Sequence, residues 1–321
     1  MQEPFIAVQV VTWNSMPYLQ FCLESLTAQT YKHISITIID NASTDGISEY
    51  LATAYPHISI IKNTTNRGFA AAHNQGITWH IANSKWPKAT TYIFVLNPDV
   101  ILTPSYLEHV VKIMQREPKA AGITGQLLRY QLKDGNVITT TTIDSEGLEV
   151  LPWRAVRERH AGHRISNFEF RISNLPPQAV WGISGACALY RISALEDVKQ
   201  NEEYFDQDFF CYKEDVDMCW RMRTRGWKFL FTPTAQAFHK RGIGHDTPHT
   251  QRNPRINQWS YRNHWYTLIK NETWHSFLVH VPLVAPYEMA KFCYYLVTQP
   301  RTLLSLYDVC INFTRMLRKR A

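Results

Sequence analysis

The chain has 321 residues, 45% of them hydrophobic, and a formal net charge of +7 at pH 7. This length and apolar content allow a substantial core without stabilising crosslinks, in one large α/β domain with an appendage or in two domains. The six scattered cysteines form no C-x-x-C pair, which argues against a disulfide framework and a cysteine zinc site and fits a reducing cytosol.

Apolar runs and helical patterns alternate through the first hundred residues. Buried strands are predicted at residues 5–12, 34–40, 58–62 and 92–96. Helices are predicted between them, beginning near Asn14 or Ser15, over 46–55 and over 69–81. Such alternation with short links predicts right-handed crossovers and a parallel sheet.

A polar cluster follows each of these four predicted strands: TWN, DNASTDG, NTTNRGF and NPD. Each cluster alone is typical of a loop, and the NPD cluster, Asn97-Pro98-Asp99, is in itself a good turn sequence. In parallel sheets, however, ligands bind beyond the carboxyl ends of the strands. The four clusters together therefore predict a nucleotide-type site at this edge.

The second part of the chain predicts further elements around the same sheet. A helix is predicted over 103–117 and a strand over 120–130. Residues 131–175 are polar and rich in arginine and histidine, which favours an irregular excursion. The later predictions are a glycine-rich loop into a strand at 181–191, a loop into a helix at 209–227, and a closing strand and loop at 228–245.

Asp99 is a candidate ligand of a divalent cation. A carboxylate at a strand tip can hold such a cation through oxygen, and the cation can in turn hold a diphosphate. The segment FHKRGIGH offers His239 and His245 as further ligands. A single histidine is more often structural, but His239 directly follows a predicted strand and is the stronger candidate.

Three acids, Glu214, Asp215 and Asp217, lie close together at a predicted helix start. Acids favour helix N-termini, and Asp217 with Arg221 forms a common helical pair, so a purely structural role stays open. The alternative is a carboxylate acting as general base, whose pKa the clustering would raise.

Seven segments of the chain occur in the order in which family-two glycosyltransferases of the GT-A fold carry them. The set resembles the bacterial rhamnosyltransferase-like subgroup and covers roughly residues 5 to 270; no single motif is decisive, but the ordered set is specific. The segments are VVTWN, IIDNASTDG, NRGFAAAHNQGI, VLNPDV, GISGACALYR, FFCYKEDVDMCWR and FHKRGIGH.

The resemblance implies residues that bind the donor nucleotide. The first two strand ends would hold the base and ribose, and the Arg67–Phe69 segment would line the donor pocket. The implied donor-binding residues are Thr12, Asn14, Asp40, Asn41, Arg67, Gly68, Asn74 and Asn97.

The resemblance also implies a metal site for Mg²⁺ or Mn²⁺. The family's Asp-x-Asp motif corresponds to Asn97-Pro98-Asp99, with Asp99 as the retained ligand and His239 as the late histidine ligand. Many relatives carry Asp where this chain has Asn97, so one charge is missing from the site. That difference puts the affinity for the metal in question.

The catalytic pair and the acceptor loop follow from the same resemblance. The family's Glu-Asp pair corresponds to Glu214 and Asp215, with Asp215 as the general base. A glycine-rich loop would let the acceptor approach closely. Its implied acceptor-binding residues are Trp181, Gly182, Ser184 and Gly185.

The implied activity is an inverting, metal-dependent hexosyl transfer to a saccharide or lipid-linked saccharide in cell-surface polysaccharide synthesis. L-Rhamnose from dTDP-rhamnose is one candidate sugar; GlcNAc, galactose, glucose or galactofuranose from a UDP donor stay open. The implied fold is an α/β GT-A fold, with a mostly parallel central sheet flanked by helices. Residues 1–255 would form the catalytic domain, with a nucleotide-binding half over 1–100 and an acceptor-binding half over 101–255.

Three other classes of protein are disfavoured by specific features. A nucleotidyltransferase would carry a glycine-rich, basic triphosphate loop near the N-terminus, and VVTWNSMPYLQ is not one. A catalytically silent carbohydrate-binding scaffold would have lost Asp99 or Asp215, and both are present. Nucleic-acid binding is disfavoured because the excess cations are concentrated at the C-terminus.

Residues 256–321 predict a helical extension rich in aromatic and aliphatic side chains. The apolar segment 277–297 is about membrane length but contains two prolines, Glu288 and Lys291, which a spanning helix tolerates poorly. We expect amphipathic helices on the inner face of the cell membrane, aided by the terminal cations; packing on the protein's own core or in a homodimer is the alternative. The opening residues carry no basic leader, so a cytoplasmic location is expected. The terminal cations are Arg315, Arg318, Lys319 and Arg320.

Overall fold

A computed structural model of the chain describes residues 3–82, 90–165, 175–240 and 253–320. The N-terminal strands are β1 (Phe5–Thr12), β2 (Ile34–Asp40), β3 (Ser59–Lys62) and β4 (Thr90–Leu96). They alternate with α1 (Met16–Thr27), α2 (Ile47–Ala54) and α3 (Gly68–Ala82). All three pairings among these strands are parallel, in the order β4-β1-β2-β3, which confirms the parallel arrangement predicted for this half.

The local sequence explains why α1 forms where it does. Pro17 lies in the first turn, and the apolar residues spaced along the helix face the core. The free backbone N–H of Met16 is satisfied from outside the helix, because it donates to Asp45 Oδ2 at 2.8 Å. The loops after β1 and β2 are thereby joined. The buried residues of α1 are Leu19, Cys22, Leu23, Ser25 and Leu26.

The second half of the chain extends the same sheet. Its elements are β5 (Val100–Leu102), α4 (Tyr106–Arg116), β6 (Ala120–Lys133), β7 (Asn136–Ser145), β8 (Leu148–Val150), β9 (Val156–Glu158), β10 (Gln178–Val180), β11 (Cys187–Arg191), α5 (Ile192–Asp197), α6 (Glu214–Thr224) and β12 (Lys228–His239). The order continues from β4 through β11, β6 and β12 to β10. The sheet is mixed, because β11 enters antiparallel between β4 and β6, while β12 runs parallel to β6.

The prediction of an irregular segment over 131–175 is wrong for residues 131–133, 136–145, 148–150 and 156–158, which form strands. The strand predicted at 120–130 continues to Lys133, turns through Asp134-Gly135 and returns as β7. Both turn residues have positive φ, as a two-residue hairpin turn requires. The Asp-Gly pair was the signal for this hairpin, and the polar composition around it concealed the alternation. Residues 166–174 lie outside the described residues.

Three helices follow the sheet: α7 (Pro254–Asn271), α8 (Trp274–Thr298) and α9 (Ser305–Arg318). The helical extension predicted from residue 256 thus begins at Pro254, and the division of the chain into domains and halves stays a prediction. α7 and α9 pack on the rest of the molecule through a small apolar core that includes Phe209, Tyr266 and Met316. Within the described residues no helix is both long and apolar enough to cross a membrane.

Three of the four terminal cations have partners among the described residues, whereas Arg318 is exposed. Lys319 is only 10% exposed, and its ammonium lies 2.5 Å from Asp206 Oδ1 and 2.7 Å from Asp208 Oδ2. Arg315 pairs with the other oxygen of Asp208 at 2.6 Å, and the Arg320 guanidinium lies over the Trp274 ring. Arg315 and Lys319 therefore help to hold α9 onto the molecule.

Candidate active site

The carboxyl ends of β1 and β2 place two predicted donor-binding residues side by side. Thr12 and Asp40 are partners in the parallel register, and both are buried. Asp40 shapes the loop after its strand, because its carboxylate accepts the Ser43 N–H at 3.0 Å and the Ser48 hydroxyl at 3.3 Å. The Thr12 hydroxyl is buried without a hydrogen-bond partner among the described residues, as expected for a group at a ligand-facing edge.

Asn14 completes this corner of the site. Its backbone is left-handed, with φ of 51°, and its side-chain oxygen accepts the Thr44 N–H at 2.8 Å. Its own N–H donates to the Ser43 hydroxyl at 3.0 Å. The loops after β1 and β2 are therefore fixed to each other, and the pair forms one wall of the edge.

The next strand end contributes Asn41, Arg67 and Gly68. The Asn41 amide donates to the Gly68 carbonyl at 3.1 Å and accepts from Asn63 at 2.9 Å. Gly68 has φ of +78°, and a Cβ there would lie 2.5 Å from the Phe210 carbonyl oxygen, so a side chain is excluded. Arg67 is exposed beside this contact. The segment predicted to line the donor pocket thus leans directly on the loop that precedes α6.

Asn74 is placed differently from the other predicted donor ligands. Its side chain is buried, its amide donates to the Phe205 carbonyl at 2.7 Å, and its oxygen accepts the Tyr204 and Phe205 N–H groups. Because both ends of the amide are occupied by protein, direct contact with a donor does not fit this arrangement. Asn74 instead fixes the chain at Tyr204 and Phe205, ahead of the candidate catalytic acids.

The candidate metal ligands meet at the ends of β4 and β12. His239 Nε2 lies 3.3 Å from Asp99 Oδ1, and both side chains are largely buried. On the other side of the ring, Nδ1 lies 2.8 Å from the Asp144 carboxylate. Asp144 sits in β7, within the segment that sequence reasoning left irregular, and so it was missed. A hairpin assignment from the Asp-Gly turn would have directed attention to it.

The charged groups in this cluster shift one another's pKa values. Burial alone would raise the pKa of Asp99, but the facing His239 holds that pKa below its ordinary value. Burial would lower the pKa of His239, but the Asp99 and Asp144 carboxylates raise it to about 10. When His239 is protonated, its ring and Asp99 form an ion pair. A divalent cation that bound both side chains would displace the proton and so replace this ion pair.

The donor set fits a divalent cation in part. A carboxylate oxygen and an imidazole nitrogen suit Mn²⁺ or Mg²⁺, and a carboxylate behind the second imidazole nitrogen is the usual support of a metal-binding histidine. Among the described residues, however, no group of three or more histidine, cysteine or acidic side chains could hold a metal ion. Remaining ligands would have to come from substrate phosphates and water. Asn97 lies at the same strand end, with its N–H bound to the Ala186 carbonyl at 2.9 Å.

Glu214 and Asp215 lie in the first turn of α6, and the backbone of the residues just before them is strained. Phe210, Tyr212 and Lys213 all have positive φ, which turns the chain sharply into the helix. Asp215 Oδ2 accepts the Gly185 N–H at 2.9 Å, and Oδ1 accepts the Val216 N–H at 2.8 Å. Glu214 is buried, and one of its carboxylate oxygens has no hydrogen-bond partner among the described residues.

Both acids have an increased affinity for protons. Burial raises the pKa of Asp215, although the two backbone N–H groups that it accepts work against that rise. Burial, and next the neighbouring Asp215 charge, raise the pKa of Glu214 well above its ordinary value. A carboxylate of raised pKa in a confined site is suited to proton transfer.

The loop predicted to bind the acceptor connects the two acidic sites. Ala186 accepts the Asn97 N–H, and the preceding Gly185 donates to Asp215. A Cβ on Gly185 would lie 2.9 Å from the Phe69 ring, so this close approach requires glycine. Ser184 is half-buried in the same loop.

The other two predicted acceptor-binding residues, Trp181 and Gly182, come before Ser184 in the same loop. Trp181 packs edge-on against Trp220 of α6, with ring centroids 5.6 Å apart. Gly182 lies against Cys219, and its carbonyl accepts the Leu148 N–H at 2.8 Å. Trp181 therefore presents a large, half-buried side chain at the site, whereas Gly182 is buried.

The sequence did not predict the contacts that α7 makes with the loop before α6 and with α6 itself. Asn263 of α7 donates to the carbonyls of Phe209, Cys211 and Tyr212, at 2.8, 2.8 and 2.7 Å. One turn into α6, Asp217 pairs with Lys270 at 2.9 Å and with Arg221 at 3.0 Å. The Asp217–Arg221 pair was the one contact of this group visible from its spacing. The C-terminal helices thus form the back of the candidate active site.

Solved glycosyltransferases share this fold. GalNAc-T7 with UDP, GalNAc and Mn²⁺ superimposes with a TM-score of 0.58 at 12% identity, over 91% of this chain and 57% of that chain. The mannosyltransferase PcManGT from Pyrobaculum calidifontis, in complex with GDP-Man and Mn²⁺, gives 0.55 at 15% identity, over 99% of this chain and 84% of that chain. At these identities the likeness establishes the fold alone, which is the GT-A fold of glycosyltransferases.

The chain belongs to glycosyl transferase family 2, whose family model matches residues 7–199. It is therefore a glycosyltransferase. Among curated proteins it is 28% identical over 251 residues to the N-acetylglucosaminyl-diphospho-decaprenol L-rhamnosyltransferase of Mycobacterium tuberculosis, covering 73% of this chain and 75% of that protein. The family match contains Asp99 and the acceptor loop, while Glu214, Asp215 and His239 lie beyond it.

Proposed function

We propose that this chain transfers a hexose, with inversion, from a nucleoside diphosphate-sugar to a saccharide or lipid-linked saccharide. The observation that carries the proposal is the loop Ser184–Ala186, which binds Asp215 on one side and the Asn97-Pro98-Asp99 segment on the other. A proton acceptor and a diphosphate-binding strand end are thereby held around one space. These are the two groups that a single displacement at an anomeric carbon needs.

In this proposal the oxygen of an acceptor hydroxyl attacks the anomeric carbon as the bond from that carbon to the diphosphate oxygen breaks. The hydroxyl proton passes to Asp215, whose raised pKa makes it a competent base. Attack from the face opposite the leaving group inverts the configuration. The backbone N–H groups of Gly185 and Val216 orient the carboxylate toward this task.

Asp99 and His239 would hold a divalent cation, Mg²⁺ or Mn²⁺. Such an ion supplies positive charge to a leaving diphosphate. Asp144 would keep the ring of His239 oriented, so that Nε2 points to the site. Thr12, Asn14, Asp40 and Asn41 would line the part of the edge that receives the nucleoside, with Arg67 reaching the donor from the next strand end.

The relative from Mycobacterium tuberculosis supports a finer version of the proposal. Its name describes rhamnosyl transfer to a GlcNAc-diphospho-lipid, and the similarity spans three-quarters of its length. We therefore propose dTDP-rhamnose as the donor and a lipid-linked saccharide at the cytoplasmic face of a membrane as the acceptor. A UDP-sugar donor is the alternative.

A donor screen tests the proposal. The purified chain with Mn²⁺ or Mg²⁺ is incubated with nucleotide sugars, including dTDP-rhamnose and UDP-linked GlcNAc, galactose, glucose and galactofuranose, and released nucleoside diphosphate is measured. We expect release from one donor, increased by a GlcNAc-diphospho-lipid acceptor and absent in Asp215→Asn. Release from a UDP-sugar instead would replace the rhamnosyl assignment, and release unaffected by Asp215→Asn would contradict the proposed site.

A further inference from the structure

The outer surface of α8 is apolar along its whole length. We call the following residues the α8 face: Trp274, Phe277, Leu278, Val279, Leu283, Met289, Phe292, Tyr294, Leu296 and Val297. Val297 is 83% exposed, Trp274 72% and Leu278 67%. A helix of 25 residues is roughly 37 Å long at about 1.5 Å per residue. Monomeric soluble proteins seldom leave so long an apolar surface in water.

The only carboxylate of α8 and its only lysine are turned away from this face, and the helix has no arginine. Glu288 is buried and lies 2.8 Å from His264 Nε2 of α7. Lys291 pairs with Glu288 at 3.6 Å and lies over the Tyr261 ring of α7 at 4.7 Å. A helix that faces water normally carries its charges on the solvent side. Here the charges face α7, and the exposed side carries none.

The exposed arc of α8 is unusually wide. Phe277, Leu278 and Val279 are three successive exposed residues, and Phe292, Cys293 and Tyr294 are three more. Successive residues lie about 100° apart around a helix, so each run covers about 200° of the circumference. Contact with a neighbouring helix normally uses a stripe of roughly half that width. A medium that surrounds more than half of the helix fits this distribution better than a second folded surface does.

Positive charge lies beside the α8 face. The Arg320 guanidinium lies 5.7 Å over the Trp274 ring, so the basic end of α9 meets the beginning of α8. Arg318 and Arg301 are exposed on the segments that follow α8, together with the paired Arg315 and one exposed acid, Asp308. The balance on this side is positive, which complements a surface of anionic headgroups.

We propose that the α8 face lies in the headgroup region of an anionic bilayer, with α8 parallel to the membrane plane. Apolar burial supplies the main attraction, and the neighbouring arginines add an electrostatic contribution. Exposed Trp and Tyr side chains suit the headgroup level, since their rings are apolar and their polar atoms stay wet. The absence of a spanning helix among the described residues agrees with attachment to one face only.

The same helix touches the acceptor side of the candidate active site. Arg154, from the loop between β8 and β9, donates to Glu272 at 2.7 Å and hydrogen-bonds Ser276 in the first turn of α8. Its guanidinium also lies over the Trp220 ring, which packs on Trp181. A bilayer against α8 would therefore lie close to the acceptor loop. The inference deepens the proposed function, on which it rests for the meaning of a lipid-linked acceptor.

Vesicle flotation with the full chain tests this surface. Leu278→Glu with Val297→Glu puts two charges on the α8 face, at positions that make no described contact with the catalytic acids. Ile138→Glu is the control and adds one charge outside α8, because Ile138 is an apolar residue of β7 that is 45% exposed. The probe is a phosphatidylglycerol–phosphatidylcholine vesicle, compared with phosphatidylcholine alone at low and high salt.

We expect the unmodified chain and Ile138→Glu to float with anionic vesicles, and the double variant to float about tenfold less or worse. Binding should weaken in high salt and with neutral vesicles. Failure of the unmodified chain to float would overturn the inference. So would equal flotation of the double variant, or a dimer in light scattering that the double variant dissociates without any vesicle binding.

Donor turnover, followed as nucleoside diphosphate release in the same preparations, separates this inference from the proposed function. Lost flotation with unchanged release in the double variant supports the α8 face as a membrane contact. An unmodified chain that releases nucleotide but does not float contradicts the inference alone. A chain that floats but releases nothing from any donor contradicts the proposed function alone.

Discussion

Two acidic sites at the same edge of the molecule are held in opposite ways. Asp99 faces a buried histidine, which holds its pKa below the ordinary value in spite of burial. Among the described residues, no cationic side chain forms a salt bridge with Glu214 or Asp215, and burial raises the pKa of both. Neighbouring charges, and not the carboxyl group itself, decide whether an acid stays ionised or gains affinity for a proton.

This difference matches a division of tasks. A carboxylate that stays charged can hold a cation, and one that readily takes a proton can serve as a base. A third acid, in helix α6 with Glu214 and Asp215, extends the comparison. Asp217 is as buried as its neighbours, yet Lys270 and Arg221 hold its pKa below the ordinary value. Within one turn of α6, one acid is therefore neutralised by lysine and two are not.

The largest effect is expected from Asp99→Ala. Removing the carboxylate should lower turnover on the order of 10³-fold or more and weaken donor binding, because charge on the leaving diphosphate would no longer be offset. Nucleoside diphosphate release and calorimetric binding of the donor measure the two effects. Excess EDTA should have the same effect on the unmodified chain. Full activity in EDTA would show that the Asp99 site has no metal role.

Asp215→Asn should lower turnover by roughly 10²–10⁴-fold while leaving donor affinity intact. The amide is nearly isosteric and keeps one oxygen for the Gly185 N–H, but it cannot take the acceptor proton. Turnover and donor binding, measured side by side, check this split. Glu214→Gln is the matched variant. If it is inactive while Asp215→Asn remains active, the base has been assigned to the wrong carboxyl group.

Lys270→Met should destabilise the fold by about 3–5 kcal/mol, because it removes the buried ammonium that two carboxylates share and leaves each of them with one cation, Lys319 or Arg221. The Lys270 ammonium lies 2.6 Å from Asp206 and 2.9 Å from Asp217, and it is fully buried. Denaturant unfolding measures the loss. Adding Asp217→Asn to Lys270→Met should recover part of it. A loss below about 1 kcal/mol, the range of surface pairs, would contradict the buried network.

Glu214→Gln gives the smallest effect, a change in the pH dependence of stability. The pKa of Glu214 is raised in the folded chain. When the pH rises above the ordinary pKa of glutamate, Glu214 therefore loses its proton in the unfolded state but keeps it in the folded state. Stability of the unmodified chain should therefore fall as pH rises through that range, by about 1.4 kcal/mol for each unit between the two pKa values. Glu214→Gln should show a flatter profile in denaturant unfolding between pH 4 and 8. Parallel profiles would mean that Glu214 titrates normally.

Local sequence was sufficient for the parallel N-terminal part of the sheet. The strands β1 to β4 are short apolar runs bounded by turn residues, and a polar cluster at each strand end needs only the parallel arrangement to become one edge. Asp99 and His239 could be chosen as candidates because each follows a predicted strand, whereas Asp215 was distinguished from Glu214 and Asp217 only by the family resemblance. The hairpin of β6 and β7 was missed because polar residues on both sides of the turn hid its alternation.

Only the tertiary structure decided which partner each charge obtains. His239 and Asp144 are 95 residues apart, Lys319 and Asp206 are 113 apart, and Asn74 and Phe205 are 131 apart. The sequence shows the cations and acids but not their pairing, because pairing depends on how distant segments pack. By itself it determined a GT-A glycosyltransferase with acids at one strand end and at one helix start. Packing decided which acids stay charged, that Lys319 pairs with Asp206, and that α8 turns its apolar side outward.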